Sequence, residues 1–258
     1  MSDDLRILAV PALTDNYVWL LADASGAAIA VDPGEAAPVR AALAREGLHL
    51  AAVLLTHHHP DHIGGTAELV AGHRIPVYAP FDDRIAVATE RVADGAHIEL
   101  AAPELEFVVI EIPGHTRSHI AYCGHGVLFC GDTLFSVGCG RIFEGTPQQM
   151  LASLDRLAAL PGDTLVCCGH EYTLANCAFA ETVDPHNPAL ATRVAQARAL
   201  RERGSPTLPV SLAEERACNP FLRVDADAIV AALPEARSRA DRFAELRRRK
   251  DGFRANVA

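Results

Sequence analysis

The sequence predicts an α+β protein: a two-sheet sandwich flanked by helices, followed by a smaller α-helical C-terminal part. Three observations carry this. The first half of the 258 residues holds many short β-type runs and few helical ones, which suits two packed sheets better than a regular βαβ alternation. Strand signals stop beyond Glu171, and the rest of the chain reads as capped helices. Half of the residues are hydrophobic and 22% are charged, an ordinary balance for a chain that packs its own core.

Taken in order, residues 5–10, 17–22 and 28–31 are short β-type runs, the last closed by the turn signal Asp32-Pro33-Gly34. Residues 36–46, rich in Ala and Leu and followed by Gly47, should form a helix. Residues 51–55 read as a buried strand, residues 56–61 as a tight loop, and a helix is expected from Ile63 onward. Strands come next at 76–79, 106–110, 120–123 and 127–130, with a polar stretch through Gly95 between the first two. A helix over 147–160 has a clear start: Thr146 caps it, Pro147 takes the first helical position and Gln149 completes a capping box. Residues 164–168 are a last buried strand. Helices then cover 188–203, with Asn187 as cap and Gly204 as stop, and 234–250, while Ser211 and Glu214 repeat the capping box. The boundary falls near residue 172, dividing the chain into 1–172 and 173–258.

Composition excludes several classes. The formal charge of -10 argues against a nucleic-acid binder, whose affinity comes mainly from phosphate neutralisation by Lys and Arg. Seven dispersed cysteines, an odd number set mostly in apolar runs, read as reduced, buried thiols and not as a disulfide framework. Residues 1–4 are acidic, and no basic segment with a long apolar stretch comes after them, so no signal peptide is expected. No run reaches the roughly 20 apolar residues that span a bilayer. A cytoplasmic monomer acting on a small molecule is the expectation.

The stretch Thr56-His-His-His-Pro-Asp-His62 places four histidines and an aspartate within six consecutive positions, between an apolar run and Gly64-Gly65. Residues two apart do not share a helical face, so His57 and His59 can converge only on a loop, and Pro60 would break a helix interior. Imidazoles and a carboxylate gathered there suit zinc, iron or manganese. His58 should point away from its neighbours and is left out of the site. Three later strand ends offer further ligands: His115, with His119 as an alternative, then Asp132 after Gly131, and His170 after Gly169. Loops at strand ends are where a rigid scaffold presents functional groups.

The His-x-His-x-Asp-His loop, with Gly-His, Gly-Asp-Thr and Gly-His after it in that order, resembles the metallo-β-lactamase superfamily of αββα hydrolases. Within it, residues 56–62, Gly131-Asp-Thr-Leu-Phe135, Gly138-Cys-Gly-Arg-Ile-Phe-Glu-Gly145 and Cys168-Gly-His-Glu-Tyr172 are similar to the glyoxalase II, or hydroxyacylglutathione hydrolase, family. The likeness continues through Leu212-Ala-Glu-Glu215, Asn219-Pro-Phe221 and Arg247-Arg-Arg-Lys-Asp251. The resemblance implies a four-layer αββα sandwich with a helical C-terminal domain, and two divalent metal ions, zinc first, with iron or manganese as alternatives. It implies that His57, His59 and His115 hold one metal, that Asp61, His62 and His170 hold the other, and that Asp132 bridges them. Asp61 and Asp132 are then the catalytic carboxylates, and His119 a supporting or structural residue.

Two such cations lower the pKa of a shared water and polarise a carbonyl. Hydrolysis of a thioester releases a thiol whose pKa is about 8.5, so no dedicated general acid is required. No Gly-x-Ser-x-Gly segment suggests a serine triad. Arg247 and Lys250, three apart, share a helical face, although cations in a last helical turn are favoured by the helix dipole alone. By resemblance, Arg141, Tyr172, Arg247 and Lys250 hold the glutathione moiety, while Arg248 and Arg249 are solvated. Many relatives carry Lys where this chain has Arg141 and Tyr where it has Phe143; Arg adds a bidentate fork, and Phe143 lacks a hydroxyl. The expected substrate is S-D-lactoylglutathione. The competing expectations are a persulfide dioxygenase or lactonase on the same fold, and a non-enzymatic metal-binding protein.

Overall fold

A computed structural model of the protein describes residues 5–254; the acidic residues 1–4, which enter the signal-peptide reading, lie outside them. The chain divides into two compact units, Met1–Glu111 with Ser118–Gly131, and Ile112–Arg117 with Asp132–Ala258.

In the first unit, β1 (Arg6–Ala12), β2 (Asn16–Ala22), β3 (Ala27–Val31), β4 (His49–Leu54), β5 (Val77–Pro80) and β6 (Glu90–Val92) form one sheet in that order. The first pairings are antiparallel and those from β3 onward are parallel. Every residue of β2 and β3 is buried, which explains their continuous apolar runs. Helix α1 (Ala36–Glu46) lays Ala36, Val39 and Ala42 against Val10, Val18, Leu20 and Ala30 of this sheet. The single turn α2 (Pro60–Ile63) and the short α3 (Thr66–Val70) come after β4.

The remaining strands of this unit, β7 (His97–Ala101), β8 (Glu104–Glu111), β9 (Ile120–Gly124) and β10 (Val127–Gly131), pair antiparallel in sequence. Burial alternates strictly along β7 and over most of β8, so these strands present one face to the core and one to solvent. Tyr122 of β9 ties the two sheets, its hydroxyl donating to the Leu55 carbonyl at 2.8 Å. β6 and β7 carry no strong apolar run and were not expected from the sequence.

The second unit holds the short pair β11 (Leu134–Phe135) and β12 (Gly138–Cys139), helix α4 (Pro147–Ala158), β13 (Leu165–Cys168), α5 (Thr173–Val183), α6 (Pro188–Glu202), β14 (Val210–Ser211), α7 (Leu212–Cys218), α8 (Asp227–Ala232) and α9 (Arg239–Gly252). The capping boxes at Thr146 and Ser211 form as expected, and Asn187 accepts from the backbone N–H groups of Ala189 and Leu190. The last helix does not begin at Pro234. Ser238 and Asp241 make a reciprocal capping box that fixes its start at Arg239, and residues 227–232 form a separate turn of helix. Strand structure also recurs past Glu171, where β14 pairs with β13; two residues are too few to give a periodic signal. Among the described residues no helix is long and apolar enough to cross a membrane.

Candidate metal and substrate site

The histidine loop lies in the first unit. Pro60 does not keep this segment a plain loop; it sits at the first position of α2, with His59 as the preceding cap residue, a place where its missing N–H costs nothing. His57 and His59 therefore lie before the turn, with Asp61 and His62 inside it. His57 Nε2 is 3.1 Å from His59 Nδ1, and the His57 and His62 rings are 4.2 Å apart by centroid. His62 Nε2 lies 3.4 Å from Asp61 Oδ2. His58 turns to Asp82, its Nδ1 3.5 Å from the carboxylate. His119 is buried and stacks on His57 at 4.5 Å, with its Nδ1 against the Ile120 carbonyl.

Two supports of this loop are not visible in the sequence. Asp32, by sequence only a turn residue, is buried at φ 51, a region that Asp tolerates better than most residues. It accepts from Thr56 N at 2.8 Å and Thr56 Oγ1 at 2.6 Å, and meets His62 Nδ1 at 3.0 Å. A carboxylate on Nδ1 fixes the tautomer with the electron pair on Nε2. Asn16 donates from Nδ2 to Asp61 Oδ2 at 3.0 Å and to the Asp61 carbonyl at 3.2 Å. Only the turn motifs around these residues hinted that the chain is held there.

His115, Asp132 and His170 lie in the second unit. His115 Nε2 lies 3.4 Å from Asp132 Oδ2, and His170 Nε2 lies 3.3 Å from Oδ1, so two imidazoles address opposite oxygens of one buried carboxylate. His115 Nδ1 faces the Arg141 carbonyl at 2.8 Å, which aims Nε2 at Asp132. His170 stacks on Tyr172 with centroids 4.7 Å apart and planes at 4°.

His115 and Asp132 open on a cavity of about 410 Å³. His115, Asp132, Arg141, Tyr172, Arg247 and Lys250 all line it, with Phe135, Cys139, Phe143 and Phe253 among the walls. Arg247 is buried; its Nη1 donates to the Cys139 carbonyl at 2.7 Å and its Nη2 to Asp251 at 3.0 Å. Lys250 donates to the Ala175 carbonyl at 3.0 Å and sits 5.6 Å from the Phe179 and Phe253 rings. Burial, and then repulsion from Arg247, pulls its ammonium down to about 8. Arg141 and Phe143 are exposed, and the Phe143 ring lies 5.2 Å from that of His115. Arg248 and Arg249 pair with Glu245 outside the cavity.

Residues 13–170 match the profile of the Metallo-beta-lactamase superfamily, and residues 171–253 match that of the Hydroxyacylglutathione hydrolase C-terminus. A curated relative, the Hydroxyacylglutathione hydrolase of Xanthomonas campestris pv. campestris (strain B100), is 56% identical over 97% of this chain and 100% of its own length. The chain belongs to the hydroxyacylglutathione hydrolase family. The protein of the same name from Cupriavidus metallidurans is 49% identical over 97% of this chain and 100% of its own. Among solved structures, ETHE1 from Myxococcus xanthus superposes with a TM-score of 0.65 at 26% identity, covering 94% of this chain and 89% of that one. The BLEG-1 B3 metallo-beta-lactamase gives 0.66 at 23% identity, over 84% of this chain and 100% of that one, a likeness of fold. The fold is thus the α+β metallo-beta-lactamase fold with a helical C-terminal domain, and its clustered His and Asp side chains suit divalent metal.

Proposed function

We propose that this chain is a metal-dependent thioesterase that hydrolyses S-(2-hydroxyacyl)glutathione, chiefly S-D-lactoylglutathione, to glutathione and a 2-hydroxy acid. The observation that carries the reading is the cavity that brings Arg141, Tyr172, Arg247 and Lys250 beside His115 and Asp132, in a chain of this family. The metal set is His57, His59 and His115 for one ion, and Asp61, His62 and His170 for the other, with Asp132 shared. The donor chemistry fits. Two imidazole nitrogens face the two oxygens of Asp132, and nitrogen with carboxylate oxygen suits zinc first, then iron or manganese. When bound, two such ions would acidify a shared water and polarise the thioester carbonyl.

The chain's own residues do the rest. Asp32 and Asn16 hold His62 and Asp61 in place, and the Arg141 carbonyl fixes the tautomer of His115. Arg141, exposed at the cavity, and Lys250 present positive charge to the carboxylates of glutathione. Arg247 has both terminal nitrogens engaged, so it adds field and rigidity more than a free fork. Water adds to the acyl carbon and loses a proton to solvent, the C–S bond breaks, and the sulfur leaves as a thiolate stable enough to need no proton donor. The catalytic domain is taken as 1–172 and the helical domain as 173–258; the two family matches, meeting at residue 170, support that division. A monomer in the cytoplasm, where seven free cysteines stay reduced, completes the reading.

The test is hydrolysis of S-D-lactoylglutathione by purified protein loaded with each metal in turn. Loss of the thioester with release of glutathione is expected. A protein inert toward it yet active on a lactone or a β-lactam would show the reading to be wrong.

A further inference from the structure

The β11–β12 turn is held in a way that its own sequence does not favour. Val137, fully buried, stands at φ 57, where a β-branched residue is strained and glycine is not. Glu215 of α7, also fully buried, meets this turn with both oxygens: Oε1 accepts from Ser136 Oγ at 2.8 Å and Oε2 from Val137 N at 2.8 Å. Asn219 donates to Oε2 at 3.0 Å and to the Phe135 and Gly138 carbonyls at 3.1 and 2.9 Å. Arg193 of α6 and Asn176 of α5 donate to Ser136 Oγ and to the Ser136 carbonyl. Burial raises the Glu215 carboxyl above its ordinary range, and the surrounding donors pull it back. Burying a carboxylate is costly unless it is fully bonded, and a tight turn needs no such partner.

The two legs of this turn lead into the site. One leg starts directly after Asp132. The other carries the Cys139 carbonyl that accepts from Arg247 and the Arg141 carbonyl that faces His115 Nδ1. The legs are in close contact where Gly140 passes Asp132: a Cβ on Gly140 would lie 1.9 Å from the Asp132 carbonyl oxygen. A shift at Val137 therefore moves a proposed metal ligand, the carbonyl that orients a second one, and the anchor of Arg247.

We infer that Glu215 is a positioning residue for the reaction, holding the Ser136-Val137 turn in the backbone conformation that sets Asp132, His115 and Arg247. This rests on the proposed roles of those three side chains in metal and glutathione binding.

Glu215→Gln, Val137→Gly and the double variant test it, each measured for kcat and KM on S-D-lactoylglutathione, zinc affinity, glutathione binding and thermal unfolding. Glu215→Gln should lose about tenfold or more in kcat and in zinc affinity, the scale seen when a residue behind a metal ligand is removed. Val137→Gly should stay within about threefold of wild type, because glycine takes this φ unaided. In that background the Glu215→Gln loss should shrink to about threefold or less, a coupling expected of two residues acting on one turn. An unchanged kcat and zinc affinity with only a lower unfolding temperature would overturn the inference, as would an equal loss in both backgrounds. If Glu215→Gln does not fold, Ser136→Ala, which removes one donor, replaces it under the same criteria. The wild-type rate separates the two readings: if the thioester is not consumed at all, the proposed function fails, while zinc affinity still reports on the turn.

Discussion

Lys250 is the residue on which pH acts most directly. Its amine lies 5.6 Å from each of two neighbouring aromatic rings, and burial, with repulsion from Arg247, lowers its pKa to about 8. A lysine with a lowered pKa holds a carboxylate fully below that pH and releases it as the proton is lost above. KM for the glutathione thioester should be flat below about pH 8 and climb by up to about tenfold per unit above it, with kcat less affected. A Lys250→Ala enzyme should show a raised KM without that rise; a wild-type KM that is level to high pH would contradict the role. Asp132→Ala should instead lower bound metal and kcat together, whereas Lys250→Ala leaves metal content unchanged; equal metal loss in both would break the division between metal and substrate residues. At this scale the sequence speaks through clusters. His57, His59, Asp61 and His62 were conspicuous because they are contiguous, while Asp32 and Asn16 lie far from them in the chain and resemble ordinary turn residues. Their roles depend on β2 and β3 being laid down beside the loop after β4.

Helix α4 shows how an element sets one ligand. Thr146 and Gln149 cap it reciprocally, and Ser153 donates to the Pro113 carbonyl at 2.7 Å, which ties the His115 loop to the helix. Gly114 makes this approach possible: its φ is 154, and a Cβ there would lie 2.8 Å from Met150 Cβ and 2.9 Å from Met150 Cα. Those atoms are the backbone Cα and the Cβ of a fully buried helical residue and cannot step aside. Gly114→Ala should cost about 1–3 kcal/mol of stability by overpacking and should reduce bound metal by moving His115. Thermal unfolding and metal analysis check both; a stable variant with full metal would mean that the loop is not held by α4. Caps of this kind were readable, because capping boxes are written in three or four residues. The true start of α9 was hidden by Pro234, a plausible first helical residue, and the decisive signal lay in Ser238 with Asp241. α5 was missed for the opposite reason: it buries polar Thr173 and Asn176 while Leu174, Ala175 and Ala178 are partly exposed, so its hydrophobicity shows no helical period.

At the scale of the whole molecule, the proposed ligands come from segments spread between His57 and His170. Metal should therefore stabilise the folded chain by mass action, since the unfolded chain holds no such site. Removing it with a chelator should lower the unfolding temperature and abolish hydrolysis, and zinc should restore both. Identical melting with and without metal would argue against the assigned set. The fold class was legible because many short strands precede a run of capped helices, but the edge strands β6 and β7 were not: β6 has three residues and none fully buried, and β7 buries only Ile98 and Leu100. The thiols carry a last consequence. Seven cysteines are free, and burial raises the Cys139 thiol, beside the substrate cavity, to about 11 and that of Cys177 to about 12. Exchange with a disulfide requires the thiolate. An enzyme that sheds glutathione at every turnover thus keeps these two thiols slow toward the oxidised form of its product, and incubation with glutathione disulfide should leave both unmodified in a peptide mass map.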